Sequence, residues 1–321
     1  MAGGQGSKPE RRFSGVLVPA LTPFEPSLEP AAERFVGFCR WLLAEGANGL
    51  AVFGTTSEAN SLGIEERKAL LERLVASGVP AAKLMPGTGL PSLADTVALT
   101  RHAVAAGCGG VLVLPPFYYK GVSDDGLFAF YAGVIERVGD RRLQLYLYHI
   151  PQVTGVPLGL ALVERLAKAY PETVVGIKDS SGDWENTKAI LRACPQLATF
   201  PSSESRLMEG LGLGAAGCIS ASANVNVRMI RALIDAWPGA EAERLNASVS
   251  AVRAALERRP LIAALKGVFA AATGEPAWGV LRPPLVPMAQ DAVASLVDEL
   301  RAAGLDVMGP GFAALRRKQA A

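Results

Sequence analysis

The sequence predicts a (β/α)8 barrel of the TIM type followed by a helical C-terminal extension. Three observations carry that prediction. Eight short, β-rich apolar runs alternate with longer stretches of helical periodicity, which is the pattern of a parallel sheet buried on both faces. Three of the helical stretches end in GxxG directly before a run, at Gly46–Gly49, Gly107–Gly110 and Gly214–Gly217. Beyond about residue 224 the strand signals stop and only helical patterns remain. An open parallel sheet of six to eight strands fits the alternation alone. Eight units within some 230 residues fit a closed barrel better.

In chain order the runs are GVLVPAL (15–21), GLAVFG (49–54), KLMPG (83–87), GVLVLP (110–115), LQLYLYHI (143–150), TVVGIK (173–178), LATFP (197–201) and GCISAS (217–222). LATFP is the weakest. Between them lie helical patterns such as 31–46, 64–78, 92–107 and 159–170. In each GxxG the first glycine suits a left-handed helix cap, and the second lets the incoming strand pass close to its neighbours. Further helices are expected at about 225–236, 240–258, 260–273 and 289–303, interrupted by the proline-rich LRPPLVP of 281–287. The expected division is an N-terminal tail (1–12), a barrel (13–236), a helical extension (237–308) and a C-terminal tail (309–321).

Composition removes several classes of function. The 321 residues are 50% hydrophobic and 19% charged, enough for a large core and unlike a disordered chain. Thirty-two basic against 30 acidic residues leave a formal charge of +2, so no strong field draws nucleic acid or anionic membrane. No apolar run nears the roughly 18 residues of a membrane span. The four cysteines form no CxxC pair and only two histidines exist, so no metal site is expected. The opening MAGGQGSKPERR lacks the apolar segment of a secretory signal, and a cytoplasmic location is the expectation.

One motif misleads. Gly212-Leu-Gly214-Ala-Ala-Gly217 satisfies GxGxxG, but a dinucleotide fingerprint follows a strand and opens a helix. Here a helix precedes and a strand follows, so no nicotinamide cofactor is expected.

Lys178 closes the apolar run TVVGIK, where an ammonium must reach solvent or lose its charge. On a barrel this is the carboxyl end of the sixth strand, the face where chemistry sits. Gly176 points the same way and leaves room beneath the lysine. The alternative is a lysine snorkelling to the surface. Tyr148 ends the preceding run at the same barrel end, and in isolation it reads as packing with a satisfied hydroxyl. Gly54-Thr55-Thr56-Ser57-Glu58 follows the second run and offers hydroxyls and amides to a carboxylate, or an N-cap to the next helix. His102 reads as a surface or packing residue, and His149 should face away from the barrel axis. Pro115-Pro116-Phe117-Tyr118-Tyr119 could wall a pocket or pack against another subunit.

Taken together, GTTSE, YHIPQVTG (148–155) and GIKDSSGD (176–183) occur in an order and spacing that resembles the dihydrodipicolinate synthase and N-acetylneuraminate lyase superfamily of class I aldolases. The resemblance spans about residues 13–300 and includes GVLVPALTPF near the start and GCISASANV after the last run. It implies a barrel with a helical extension, assembled as a homotetramer or dimer, acting on pyruvate or another 2-oxo acid without cofactor or metal. It implies that Lys178 forms a Schiff base at the C2 carbonyl, that Tyr148 shuttles protons, and that Thr55 and Thr56 hold the carboxylate, with Thr55 as relay hydroxyl. Gly54, Ser203 and Ile219 complete the implied substrate site. A further tyrosine comes from a neighbouring subunit in the synthases. Counting from Pro116 selects Tyr118, and counting back from Gly126 selects Tyr119.

The departures are specific. Val153 stands where synthases carry an arginine for the second substrate's carboxylate, and valine offers no bidentate fork. Ser57 replaces a glycine, and His149 replaces an asparagine. The expected activity is a Schiff-base lyase that makes or breaks a C–C bond beside a lysine-bound 2-oxo acid. Dehydration of a 2-keto-3-deoxy sugar acid through the same imine is a close alternative. A barrel that binds 2-oxo acids without turnover is the alternative of another class.

Overall fold

The computed structural model describes residues 13–316. Residues 1–12 and 317–321, expected as tails, lie outside the described residues. The strands are β1 (Gly15–Val18), β2 (Gly49–Leu50), β3 (Val111–Val113), β4 (Leu145–His149), β5 (Val174–Asp179), β6 (Ala198–Pro201) and β7 (Gly217–Ile219). All pair in parallel, in two groups ordered β2-β1-β7 and β3-β4-β5-β6.

The run expected at 83–87 forms no strand of its own. It threads between β2 and β3 as an extended segment, donating from Met85 N to Leu50 O and from Gly87 N to Val52 O, each 2.8 Å, while Pro86 O accepts from Leu112 N at 3.0 Å. Pro86 has no N–H to give, so the ladder cannot run through it. Between β6 and β7 the link is Ala216 N to Thr199 O, 2.9 Å. The strands therefore follow barrel order, but their pairings do not form one continuous closed ladder.

The helices are α1 (Ala32–Ala44), α2 (Ile64–Ala76), α3 (Leu93–Ala105), α4 (Asp124–Val138), the single turn α5 (Pro151–Thr154), α6 (Leu160–Ala169), α7 (Trp184–Ala193), α8 (Leu207–Gly212) and α9 (Ala223–Ala236). Their starts are written locally. Ser92 and Ser123 hydroxyls accept from Asp95 N and Gly126 N, and Asp183 accepts from Glu185 N and Asn186 N. Gly46, Gly107 and Gly214 all carry positive φ as helix caps. Gly217 needs its missing side chain, since a Cβ there would lie 1.8 Å from Gly15 O.

Two apolar layers follow from the period of two along each strand. One set points inward and fills the barrel: Leu17, Met85, Leu112, Tyr146, Phe200 and Ile219, with Phe13 at the base. The other points outward into the larger core shared with the helices. Gly176 belongs to the inward set, and a Cβ on it would meet the Tyr146 ring at 2.4 Å. The inward row of β5 thus passes from an absent side chain to Lys178.

After α9 the chain adds α10 (Ala240–Glu257), α11 (Leu261–Thr273), α12 (Gln290–Ala302) and α13 (Pro310–Arg316). The stretch from residue 309 was expected as a tail. Over 310–316 it is instead a helix, because Phe312 packs on Trp41 (centroids 5.3 Å) and Phe269 (5.8 Å), while Trp41 Nε1 donates to Gly311 O at 3.0 Å. Among the described residues no helix is long and apolar enough to cross a membrane.

Candidate active site

Lys178 and Tyr148 are register partners on β5 and β4, so both side chains leave their strands toward the axis at the same height. Lys178 is 5% exposed. Its Nζ lies 3.2 Å from the Tyr148 hydroxyl and 4.3 Å from the centre of the same ring. The hydroxyl in turn lies 3.2 Å from Thr55 Oγ1. Amine, phenol and alcohol form one hydrogen-bonded row.

Thr55 is brought there by the turn after β2. Ser57 N and Ala59 N both donate to Gly54 O, and Glu58 N donates to Thr55 O. Glu58 takes the left-handed conformation, φ 55°. Ser57 does not need it. Its buried hydroxyl donates to Ala20 O at 2.5 Å, and its carbonyl accepts from Thr22 at 2.8 Å, pinning the turn to the end of β1. The amides of Thr55 and Thr56 have no acceptor among the described residues, which leaves two donors for an anion.

These groups open on a cavity of about 600 Å³ at the carboxyl ends of the strands. Thr55, Thr56, Tyr148, Lys178, Ser203 and Ile219 all line it. Gly54 lines a small adjoining hollow with Thr55 and Tyr148. Tyr118 is not brought in: it is 75% exposed, edge-on to Tyr119, itself 70% exposed.

Several lining residues have no counterpart in the sequence reading. Gln152 donates to Ser180 O at 2.6 Å and joins the turns after β4 and β5. Arg253 and Glu257 descend from α10, and Pro284, Leu285 and Val286 come from the proline-rich segment. Arg253 Nε donates to Glu257 Oε1 at 2.6 Å, and its Nη1 donates to Ser220 Oγ at 3.0 Å. Behind it the buried Glu204 accepts from the Ser220 and Ser222 hydroxyls and lies 3.8 Å from Arg253 Nη1. The only sequence signal for this pair is its i, i+4 spacing, which any solvated helix face also shows.

Asp179 and His149 face away from the axis, as the alternation requires. His149 Nδ1 and Asp179 Oδ1 are 3.1 Å apart, and Asp179 Oδ2 accepts from Thr187 (2.7 Å) and Asn186 (3.0 Å). Burial alone would raise the Asp179 carboxyl. The hydrogen bonds from His149, Thr187 and Ser181 outweigh it and hold the pKa at about 2. His102 meets Glu72 of α2 at 3.1 Å, a contact between helices.

The sequence matches the Dihydrodipicolinate synthetase family over residues 12–303. The chain belongs to that family. It is therefore a lyase of the class I aldolase type. An "Uncharacterized DapA-like lyase" of Chloroflexus aurantiacus is 35% identical over 285 residues, covering 88% of this chain and 94% of the relative. The crystal structure of dihydrodipicolinate synthase from Agrobacterium tumefaciens superposes with a TM-score of 0.84 at 31% identity, covering 91% of this chain and 99% of that one. YagE, a prophage protein of the dihydrodipicolinic acid synthase family from E. coli K12 solved in complex with pyruvate, also gives 0.84, at 26% identity and with the same coverage. These barrel enzymes agree with the expected fold.

Proposed function

We propose that this lyase forms a Schiff base between Lys178 and pyruvate or a related 2-oxo acid, and makes or breaks the bond between C3 and C4. The observation that carries the reading is the row Lys178 Nζ, Tyr148 hydroxyl, Thr55 hydroxyl, with 3.2 Å at each step, beside the amides of Thr55 and Thr56, which have no acceptor among the described residues. The pyruvate complex of the related YagE supports the choice of ligand.

The substrate carboxylate takes the two amides and the Thr56 hydroxyl, which sets C2 before the amine. The uncharged amine adds to the C2 carbonyl, and the resulting carbinolamine loses water through protons relayed by Tyr148 and Thr55. The imine draws electrons from C3. In cleavage the C3–C4 pair moves to C3, the C4 hydroxyl loses its proton, and an aldehyde departs. Reprotonation at C3 and hydrolysis then return the free amine and pyruvate. In synthesis the same steps run backwards. From the same imine, loss of a C3 proton followed by departure of the C4 hydroxyl as water gives dehydration instead, a second reading favoured by Val153 in place of the synthases' arginine.

We also propose a homotetramer or dimer in which Tyr118 or Tyr119 of one copy reaches the neighbour's site. Their exposure, beside the exposed Val122, supports an unfilled contact surface. A cytoplasmic setting accords with four free, buried cysteines.

The decisive experiment is incubation with pyruvate and borohydride, followed by mass spectrometry. The expected result is a reduced pyruvate adduct on Lys178. A folded preparation that yields none overturns the imine. An adduct without turnover on any 2-oxo acid would identify a binding barrel.

A further inference from the structure

We infer that Lys266 and Arg282, both in the C-terminal extension, are positioning residues for the substrate carboxylate. They act through Glu58 on the turn that presents the Thr55 and Thr56 amides. The inference rests on the carboxylate seat of the reading above and adds what holds that seat in shape.

The seat is built from uncommon backbone. Among the described residues only three other than glycine have a positive φ: Leu28 (72°), Phe53 (58°) and Glu58 (55°). Phe53 and Glu58 bracket Gly54-Thr55-Thr56-Ser57, and their Cβ atoms make the left-handed conformation unfavourable. A backbone of that kind persists only where its surroundings over-determine it.

Those surroundings come from the extension. The Glu58 carboxyl pairs with Lys266 Nζ of α11, both side chains being fully buried. Lys266 Nζ also donates to Val280 O at 2.8 Å and stands 4.3 Å from the centre of the Phe24 ring. Arg282 N donates to Glu58 Oε2 at 3.4 Å, and its guanidinium lies 4.7 Å from the same ring. Arg282 Nε donates to Leu28 O at 2.8 Å, and its Nη1 donates to Ser61 O at 2.6 Å and Glu66 Oε2 at 2.7 Å. Arg282 thus holds two of the three left-handed residues, Leu28 and Glu58, and the third precedes the turn that Glu58 closes.

None of Glu58, Lys266 and Arg282 lines the catalytic cavity, so none of them meets the substrate there. A buried ion pair is also a poor source of net stability, because desolvation offsets its attraction. What the pair does supply is direction: it fixes one arrangement of Glu58, and with it the close of the turn. A carboxylate is held alike before and during reaction, so loosening the turn raises KM and leaves kcat largely unchanged.

The test is borohydride trapping on the full chain over a range of pyruvate concentrations, which needs no second substrate. Glu58→Gln combined with Lys266→Met removes the ion pair without stranding a buried charge. This double variant should need about tenfold or more pyruvate for half-maximal adduct at Lys178, the scale of one hydrogen bond to a charged group. Its maximal trapping rate should stay within about threefold of wild type. Arg282→Lys keeps the charge but loses the fork that joins Leu28, Ser61 and Glu66, and should shift the pyruvate midpoint the same way by less. A merely structural role would lower the urea midpoint and leave the pyruvate midpoint alone. Folded variants with the wild-type pyruvate midpoint, or a loss confined to the maximal rate, overturn the inference. Wild-type adduct with no shift in the variants refutes this inference alone. Absence of adduct in the wild type refutes the imine reading and this inference with it.

Discussion

The Lys178 side-chain nitrogen and the Tyr148 hydroxyl stand 3.2 Å apart because their residues face each other in the β4–β5 register. A relationship fixed by backbone pairing does not depend on loop conformation, so substitution of either group should leave the other in place. We predict that Tyr148→Phe retains binding of pyruvate, with KM within about threefold, and lowers kcat by about 10²- to 10⁴-fold, the range of a lost proton-transfer group. Thr55→Val should fall in the same direction by less. The rate of borohydride-trappable adduct formation checks both. An unchanged trapping rate in Tyr148→Phe would remove the tyrosine from the proton path.

Asp179 gives a pH prediction. Burial opposes its charge, but His149, Thr187 and Ser181 hold its pKa at about 2, against about 3.9 for an unfolded aspartate. Between those values the unfolded chain binds more protons than the folded one, so stability rises with pH. The contribution is complete above about pH 5, amounts to about 2–3 kcal/mol, and is lost progressively as pH falls from about 5 to below about 2. Asp179→Asn should therefore be less stable than wild type at pH 7, by a margin that shrinks below about pH 5. Urea midpoints along that series measure it. A margin independent of pH would mean that packing, not ionisation, is the source.

How much of this was legible in the sequence follows from local signals. Lys178 and Tyr148 each end an apolar strand, and a polar group in that place is conspicuous. Thr55 was visible only as part of a turn, because its hydrogen bond to Tyr148 spans 93 residues. Arg253 and Glu257 were invisible for the same reason: their i, i+4 pair reads as an ordinary exposed helix face, and only the docking of α10 over the strand ends turns them inward. Residues 310–316 were misread because a single Phe312, with its partners far away in sequence, decides whether the segment packs. The segment at 83–87 has a strand's composition, but Pro86 removes the donor that regular pairing needs.

The turn that carries Thr55 and Thr56 is fastened from outside the barrel. Glu58 pairs with Lys266 of α11, both fully buried, and Lys266 also donates to Val280 O at 2.8 Å. Burial pushes the Glu58 carboxyl up and the Lys266 amine down, the latter to about 8, so each depends on the other for its charge. Lys266→Met alone should cost about 3–5 kcal/mol, since it strands a buried carboxylate. Glu58→Gln with Lys266→Met should recover much of that loss. Guanidinium chloride midpoints of the single and double variants form the test. Additive losses would show that the two groups do not act as a pair.

Val153 offers the sharpest change of specificity. It lines the cavity at 57% exposure, so a longer side chain there displaces no packed core. An arginine at 153 would supply a fork for a carboxylate in the half of the cavity where the Arg253 guanidinium is already paired with Glu257. We predict that Val153→Arg raises kcat/KM for aspartate semialdehyde by about tenfold or more, with pyruvate trapping at Lys178 unaltered. Val153→Arg combined with Glu257→Gln should gain further, because the second substitution removes the repelling charge while keeping a hydrogen-bonding group. Steady-state rates with pyruvate held saturating measure both. If neither variant gains, acceptor charge is not decided on this wall, and the selectivity must come from residues that a neighbouring copy brings to the cavity.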